Sequence, residues 1–158
     1  MKNRDIALIG VYAALYAAMV VFFAPLSFYA VQFRVAGVLR PAIARKRKLA
    51  VGYALGAAAA NLFSPFAGIY EILFMPAMSL VAGLAGYEVA KRLGGGYYSC
   101  GAVIAVIIPV SVAWMLSQLF GLPVAATLPG LLVSEQVINA LGSTVFRLVE
   151  RRYRWWEE

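Results

Sequence analysis

The sequence has no histidine, which removes the side chain most used as a general base and the commonest metal ligand. Its single cysteine, Cys100, excludes an internal disulfide. Charged residues make up 13% of the chain, against roughly 25% in an ordinary soluble domain. Acidic residues are scarcer still, seven in 158. The sequence also lacks a nucleophile elbow, a metal-spaced His/Cys/Asp cluster and a phosphate-cradling glycine loop followed by Lys-Ser/Thr. The triple glycine at 94–96 has no such context. Enzymatic activity, a metal site and a cofactor are therefore not expected, and any ATP hydrolysis must come from a partner.

Apolar residues fill the space these absences leave, at 63% of the chain, and residues 6–31 carry no charge at all. Such continuous runs predict an all-α integral membrane protein. A β-barrel would alternate apolar and polar residues instead. The length suits a single domain over residues 1–158. The net charge of +7 is not a nucleic-acid signature, because of where it lies. Lys2 and Arg4 open the chain, residues 45–48 form one cluster, Lys91 and Arg92 a second, and Arg147, Arg151, Arg152 and Arg154 close it. Each group falls at a terminus or between apolar runs, which is the positive-inside pattern of a multi-pass protein of the cell membrane. The first apolar run is too long for a signal peptide and reads as the first span.

Six spans are expected, in one compact bundle with both termini cytoplasmic. The first covers residues 5–26. The second follows Arg34 and is only about ten residues, too short to cross alone at about 1.5 Å per residue. Gly37 and Pro41 fit a tilted, buried or partly irregular segment. The third covers 48–62. Ser64-Pro65 then reads as a helix start, with Ser64 as N-cap. The fourth ends at the glycines 94–96, and the fifth covers 98–120. Residues 121–130 read as a loop punctuated by proline and glycine, and the sixth span covers 128–152. The tail 153–156 is aromatic and basic, as interfacial anchors are. This arrangement puts every basic cluster inside and leaves Arg34 alone facing out.

Glu71 and Glu135 fall inside apolar spans, where ionisable groups are costly and mark function by default. Counted from Ser64 and from Pro129, each lies about 10 Å down its helix, so both are expected at one level with Arg34. Asn61 and Gln32 add neutral hydrogen-bonding groups. Two readings fit: a structural ion-pair triad tying helices together, or a binding site. Three such groups carry a net charge of minus one, and a ligand with N–H donors would satisfy the remaining carboxylate. Trp114, with Phe28, Tyr29, Phe33 and Tyr70, can stack on a planar ring or serve as an interfacial belt. Small residues recur at spacing four, at Gly10, Ala14 and Ala18, and again at Gly52, Gly56 and Ala60. Such faces permit close backbone approach, within the bundle or to another membrane protein.

Several short motifs occur in a particular order: Ala14-Leu15-Tyr16, Ala24-Pro25-Leu26-Ser27, Gln32-Phe33-Arg34, then Asn61 with Ser64-Pro65, and finally Ser134-Glu135 and Leu141-Gly142. In these the chain resembles the QueT family, queuosine-precursor S components of energy-coupling factor transporters. The resemblance implies a six-helix subunit that binds a deazaguanine-type base. It also implies a transmembrane coupling subunit and an ATPase pair as partners. By the same resemblance Gly10, Ala14 and Ala18 correspond to the alanine-rich docking motif. Gln32, Arg34, Asn61, Glu71, Trp114 and Glu135 are the expected substrate-binding residues. The chain departs from the family at Gly37, where a Glu is usual, at Arg40 and Pro41, which replace neutral residues, and at Phe74-Met75 in place of Phe-Gly. Glu71 stands close to the place of a family Asp. Alternatives are an S component for another vitamin, a self-sufficient ion-coupled transporter using Glu71 and Glu135, and a non-transporting assembly protein.

Overall fold

In the computed structural model, residues 3–28, 33–94 and 96–156 are described, and they form helices and turns with no strand among them. The elements run α1 (Asn3–Phe22), α2 (Ala24–Phe28), a 3-10 helix (Val35–Ala44), α3 (Leu49–Asn61), a π-helical turn (Tyr70–Phe74), α4 (Met75–Arg92), α5 (Tyr97–Phe120) and α6 (Val124–Glu150). Four helical stretches are long and apolar enough to cross a membrane: Asn3–Phe22, Tyr70–Arg92, Tyr97–Phe120 and Val124–Glu150. The 3-10 helix and α3 are apolar but shorter. Val11, Phe22, Leu73, Val133 and Leu141 are more than half exposed. An apolar exterior of this kind is what lipid tails solvate and water does not.

The long helices pack in the order α1–α3–α4–α5–α6, each against the next, and the 3-10 helix touches all five. The short second segment is thus the hub of the bundle. Its geometry answers the length problem. A 3-10 helix rises about 2 Å per residue, so ten residues reach about 20 Å rather than 15. Pro41 sits inside it and offers no N–H to the carbonyl three residues back, at Val38. Gly142 of α6 lies against that carbonyl, where a Cβ would overlap the Val38 oxygen. A proline on one helix and a glycine on its neighbour thus let two backbones meet.

α3 meets α1 through its glycines. A Cβ on Gly56 would stand 2.8 Å from the carbonyl oxygen of Ala13, and one on Gly52 would stand 3.0 Å from that of Ile9. The α3 stripe is therefore spent on internal packing. The α1 stripe is not: Gly10, Ala14 and Ala18 are exposed, and a Cβ on Gly10 would meet nothing within 4 Å.

Two expected boundaries are corrected. Ser64 does not cap a helix starting at Pro65. Its hydroxyl accepts the N–H of Phe66 at 3.1 Å in a tight turn, and the π-helical turn begins only at Tyr70. Residues 124–130 are helical rather than loop, with Pro129 inside α6. Pro129 is the sixth residue of α6, just past the four N–H groups that lack a partner at any helix start, so it removes a single intrahelical bond. The stop at Gly121 is as expected, with φ of +65° and its N–H on the carbonyl of Ser117.

Candidate functional site

These boundaries move the two carboxylates apart. Glu71 is the second residue of its turn rather than seven residues into a helix. Glu135 is eleven residues into α6, about 17 Å along its axis. The level expected to be common is not, and two separate polar clusters result.

The deeper cluster centres on a residue absent from the expected set. Arg40 is fully buried, pairs with Glu135 and donates to the hydroxyl of Tyr16 at 3.2 Å. Its guanidinium also lies 5.3 Å from the centre of the Tyr53 ring, within cation–π range. Asn139, one turn along α6, donates to the Glu135 carboxylate at 3.1 Å and to its carbonyl at 2.8 Å. In 3-10 geometry residues three apart align, which puts Arg34, Gly37, Arg40 and Ile43 in one row. A Cβ at Gly37 would stand 2.8 Å from Ile138 and 3.1 Å from the Arg40 guanidinium. The departures at 37 and 40 are therefore one feature: glycine leaves the space that arginine fills. The signal was in the sequence, since Arg40 too is an ionisable group inside an apolar run.

The second cluster begins six residues back in the chain, at Arg34, the extended N-cap of the 3-10 helix. Arg34, only 6% exposed, donates to Asn61 Oδ1 at 3.2 Å. Asn61 is fully buried and donates onward to the carbonyl of Glu71 at 2.7 Å. Glu71 is 3% exposed, yet among the described residues its Oε2 has no hydrogen-bond partner and it makes no ion pair. A buried acceptor left unmatched costs about 1–3 kcal/mol, more when charged. A π-helical turn inserted at a helix start is frequent at functional sites.

The expected triad of Arg34, Glu71 and Glu135 is thus divided. Arg34, Asn61 and Glu71 come together, while Glu135 belongs to Arg40. The reckoning of charge changes with it: Arg40 offsets Glu135, so the case for a ligand rests on the unmatched Glu71 oxygen rather than on a net negative charge. Trp114 of α5 packs against the π-helical turn, 5.9 Å from the Tyr70 ring and 4.9 Å from that of Phe74, and is 42% exposed. Gln32 and Tyr29 lie outside the described residues.

No curated protein and no solved structure matches the chain. Among protein families, that described as QueT transporter matches residues 6–151. The match takes in every polar residue of both clusters, from Tyr16 to Asn139, and the resemblance read from the short motifs holds over nearly the whole chain. The chain is a transport protein and belongs to the QueT transporter family.

Proposed function

We propose that the chain is the substrate-binding membrane subunit of an energy-coupling factor importer, capturing a queuosine precursor or related deazaguanine at the outer face of the cell membrane. The observation that carries this reading is the buried, unmatched carboxylate oxygen of Glu71, beside a chain of hydrogen bonds from Arg34 through Asn61. A carboxylate accepts two N–H bonds from a guanine-type edge, and charge-assisted bonds of this kind are about twice as strong as neutral ones. Arg34 and Asn61 hold the Glu71 backbone in place, and Trp114 packs on Tyr70 beside Glu71. Glu135, paired with Arg40, holds the 3-10 helix against α6 and so supports the site from within the bundle. Mass spectrometry of small molecules copurifying with the detergent-solubilised protein, followed by calorimetric titration of the deazaguanine found, tests the reading. Recovery of no nitrogen heterocycle, with no heat on titration, would remove it.

The topology in this reading is six spans, the 3-10 helix and α3 serving as two short inner ones, with both termini cytoplasmic. Cysteines placed at Gly68 and Val124, in a Cys100→Ala background, should be labelled by impermeant reagents from outside, and cysteines at Lys46 or Lys91 only from inside. The basic residues at 45–48, 91–92 and 147–154 support this orientation. Labelling of Val124 from the cytoplasmic side alone would exclude it.

The exposed stripe of Gly10, Ala14 and Ala18 would receive the transmembrane coupling subunit, which brings the ATPase pair. Ala14→Trp and Ala18→Trp should each reduce copurification of the coupling module at least about tenfold, since close approach depends on side-chain size. Ligand binding by the isolated chain should stay within about twofold of wild type, because the side chains point away from α3. Undiminished copurification would separate the stripe from partner docking.

A further inference from the structure

At the end of the bundle opposite Glu71, a cavity of about 540 Å³ opens between the start of α5 and the end of α6. Arg45, Arg147, Arg151 and Arg154 line it, with one carboxylate, Glu150. Arg45 holds that carboxylate with both Nε, at 3.3 Å, and Nη2, at 2.5 Å. The acid is thus already engaged, and the lining keeps a net charge of +3. Among the described residues, neither Arg147 nor Arg151 makes an ion pair.

Three further features shape the cavity. Tyr97 lines the cavity and is 3% exposed, and its hydroxyl stands among Arg45, Glu150 and Trp155. α5 begins at Tyr97 with no side chain capping its first N–H groups, and a helix start attracts phosphate. The floor is rigid: Arg45 lies over the rings of Tyr97 and Trp156, at 4.8 and 4.9 Å, and Trp155 packs on Phe146. Tryptophans of this kind sit at the level of lipid headgroups.

We infer that this cavity is a binding site for an anionic phosphate ester. Guanidinium groups match phosphate oxygens in fork geometry, and Arg147 and Arg151 line the cavity without an ion pair among the described residues. Basic pockets between spans at the cytoplasmic side take phospholipid headgroups, and a soluble phosphate ester offers the same chemistry.

The test uses the full chain in neutral detergent, with native mass spectrometry reading retained phosphatidylglycerol against phosphatidylcholine of the same acyl chains. Wild type should retain the anionic lipid preferentially. The double variant Arg147→Gln/Arg151→Gln should lower that retention at least about tenfold. Lys91→Gln/Arg92→Gln, which removes two charges outside the cavity lining, should stay within about twofold. Glycerol phosphate titrated against the lipid identifies the source. Competition at similar affinity indicates a soluble ester, and no competition indicates a leaflet headgroup. The inference is overturned if wild type does not distinguish the two lipids and binds no glycerol phosphate. Equal losses from the two double variants would also overturn it, because they would mean diffuse surface charge.

Discussion

Arg40→Met should lower the unfolding free energy of the protein by about 3–5 kcal/mol, and Glu135→Leu should do the same. Each change leaves one ion buried without its counter-ion. The Arg40 side chain has no exposed surface and that of Glu135 only 6%, so neither can turn to water. The neighbours cannot compensate: Tyr16 and Asn139 contribute neutral bonds at 3.2 and 3.1 Å. The double variant Arg40→Met/Glu135→Leu should recover most of the loss, because a buried pair replaced by apolar groups of similar volume is often neutral or stabilising. The coupling between the two sites, read by denaturant titration in micelles, should therefore amount to several kcal/mol. Two single variants within about 1 kcal/mol of wild type, or losses that simply add, would mean the pair does not hold the 3-10 helix to α6. The same experiment separates structure from binding. A Glu135 variant that folds normally but no longer takes ligand would return Glu135 to the binding surface.

Helix content and the ends marked by glycine were legible in the sequence because they depend on local chemistry. Apolar runs and Gly94 and Gly121 with positive φ required no tertiary information, whereas the small-residue stripes on α1 and α3 looked alike and only packing turned one outward and the other inward. Depth was not legible, because it is a sum over residues and inherits every error in a helix start. The turn after Ser64 and the helical conformation at Pro129 displaced the two counts in opposite directions. Glu71 moved toward its helix end and Glu135 moved inward. Arg40 was missed for a related reason. At 1.5 Å per residue it lies about 8 Å from the basic run at 45–48 and reads as part of the interface. In a 3-10 helix packed on five neighbours it lies in the centre of the protein. No local propensity announces ten residues of 3-10 helix, since runs beyond three or four residues are uncommon. The segment holds that form because Pro41, Gly37 and Gly142 fit it and the surrounding helices leave no other space.

Glu71→Gln should weaken binding of a deazaguanine ligand at least about tenfold, or roughly 1.4 kcal/mol, with little change in folding. The asymmetry with Glu135 follows from their partners. Glu135 is committed to Arg40 and Asn139. Glu71 contributes its backbone carbonyl to Asn61, which the substitution leaves in place, while its Oε2 has no hydrogen-bond partner among the described residues. Glutamine keeps the size and one acceptor but puts an N–H donor where an oxygen stood. A ligand offering two N–H groups then meets one acceptor and one donor, and loses the charge assistance that makes such bonds strong. Asn61→Ala should act on the same site by another route. It frees the Glu71 carbonyl and the Arg34 guanidinium together, so folding and affinity should fall in parallel. Calorimetric titration of both variants, beside thermal unfolding in the same detergent, distinguishes the two effects. Wild-type affinity in Glu71→Gln, with normal unfolding, would place the binding site elsewhere and leave the buried carboxylate as a structural group.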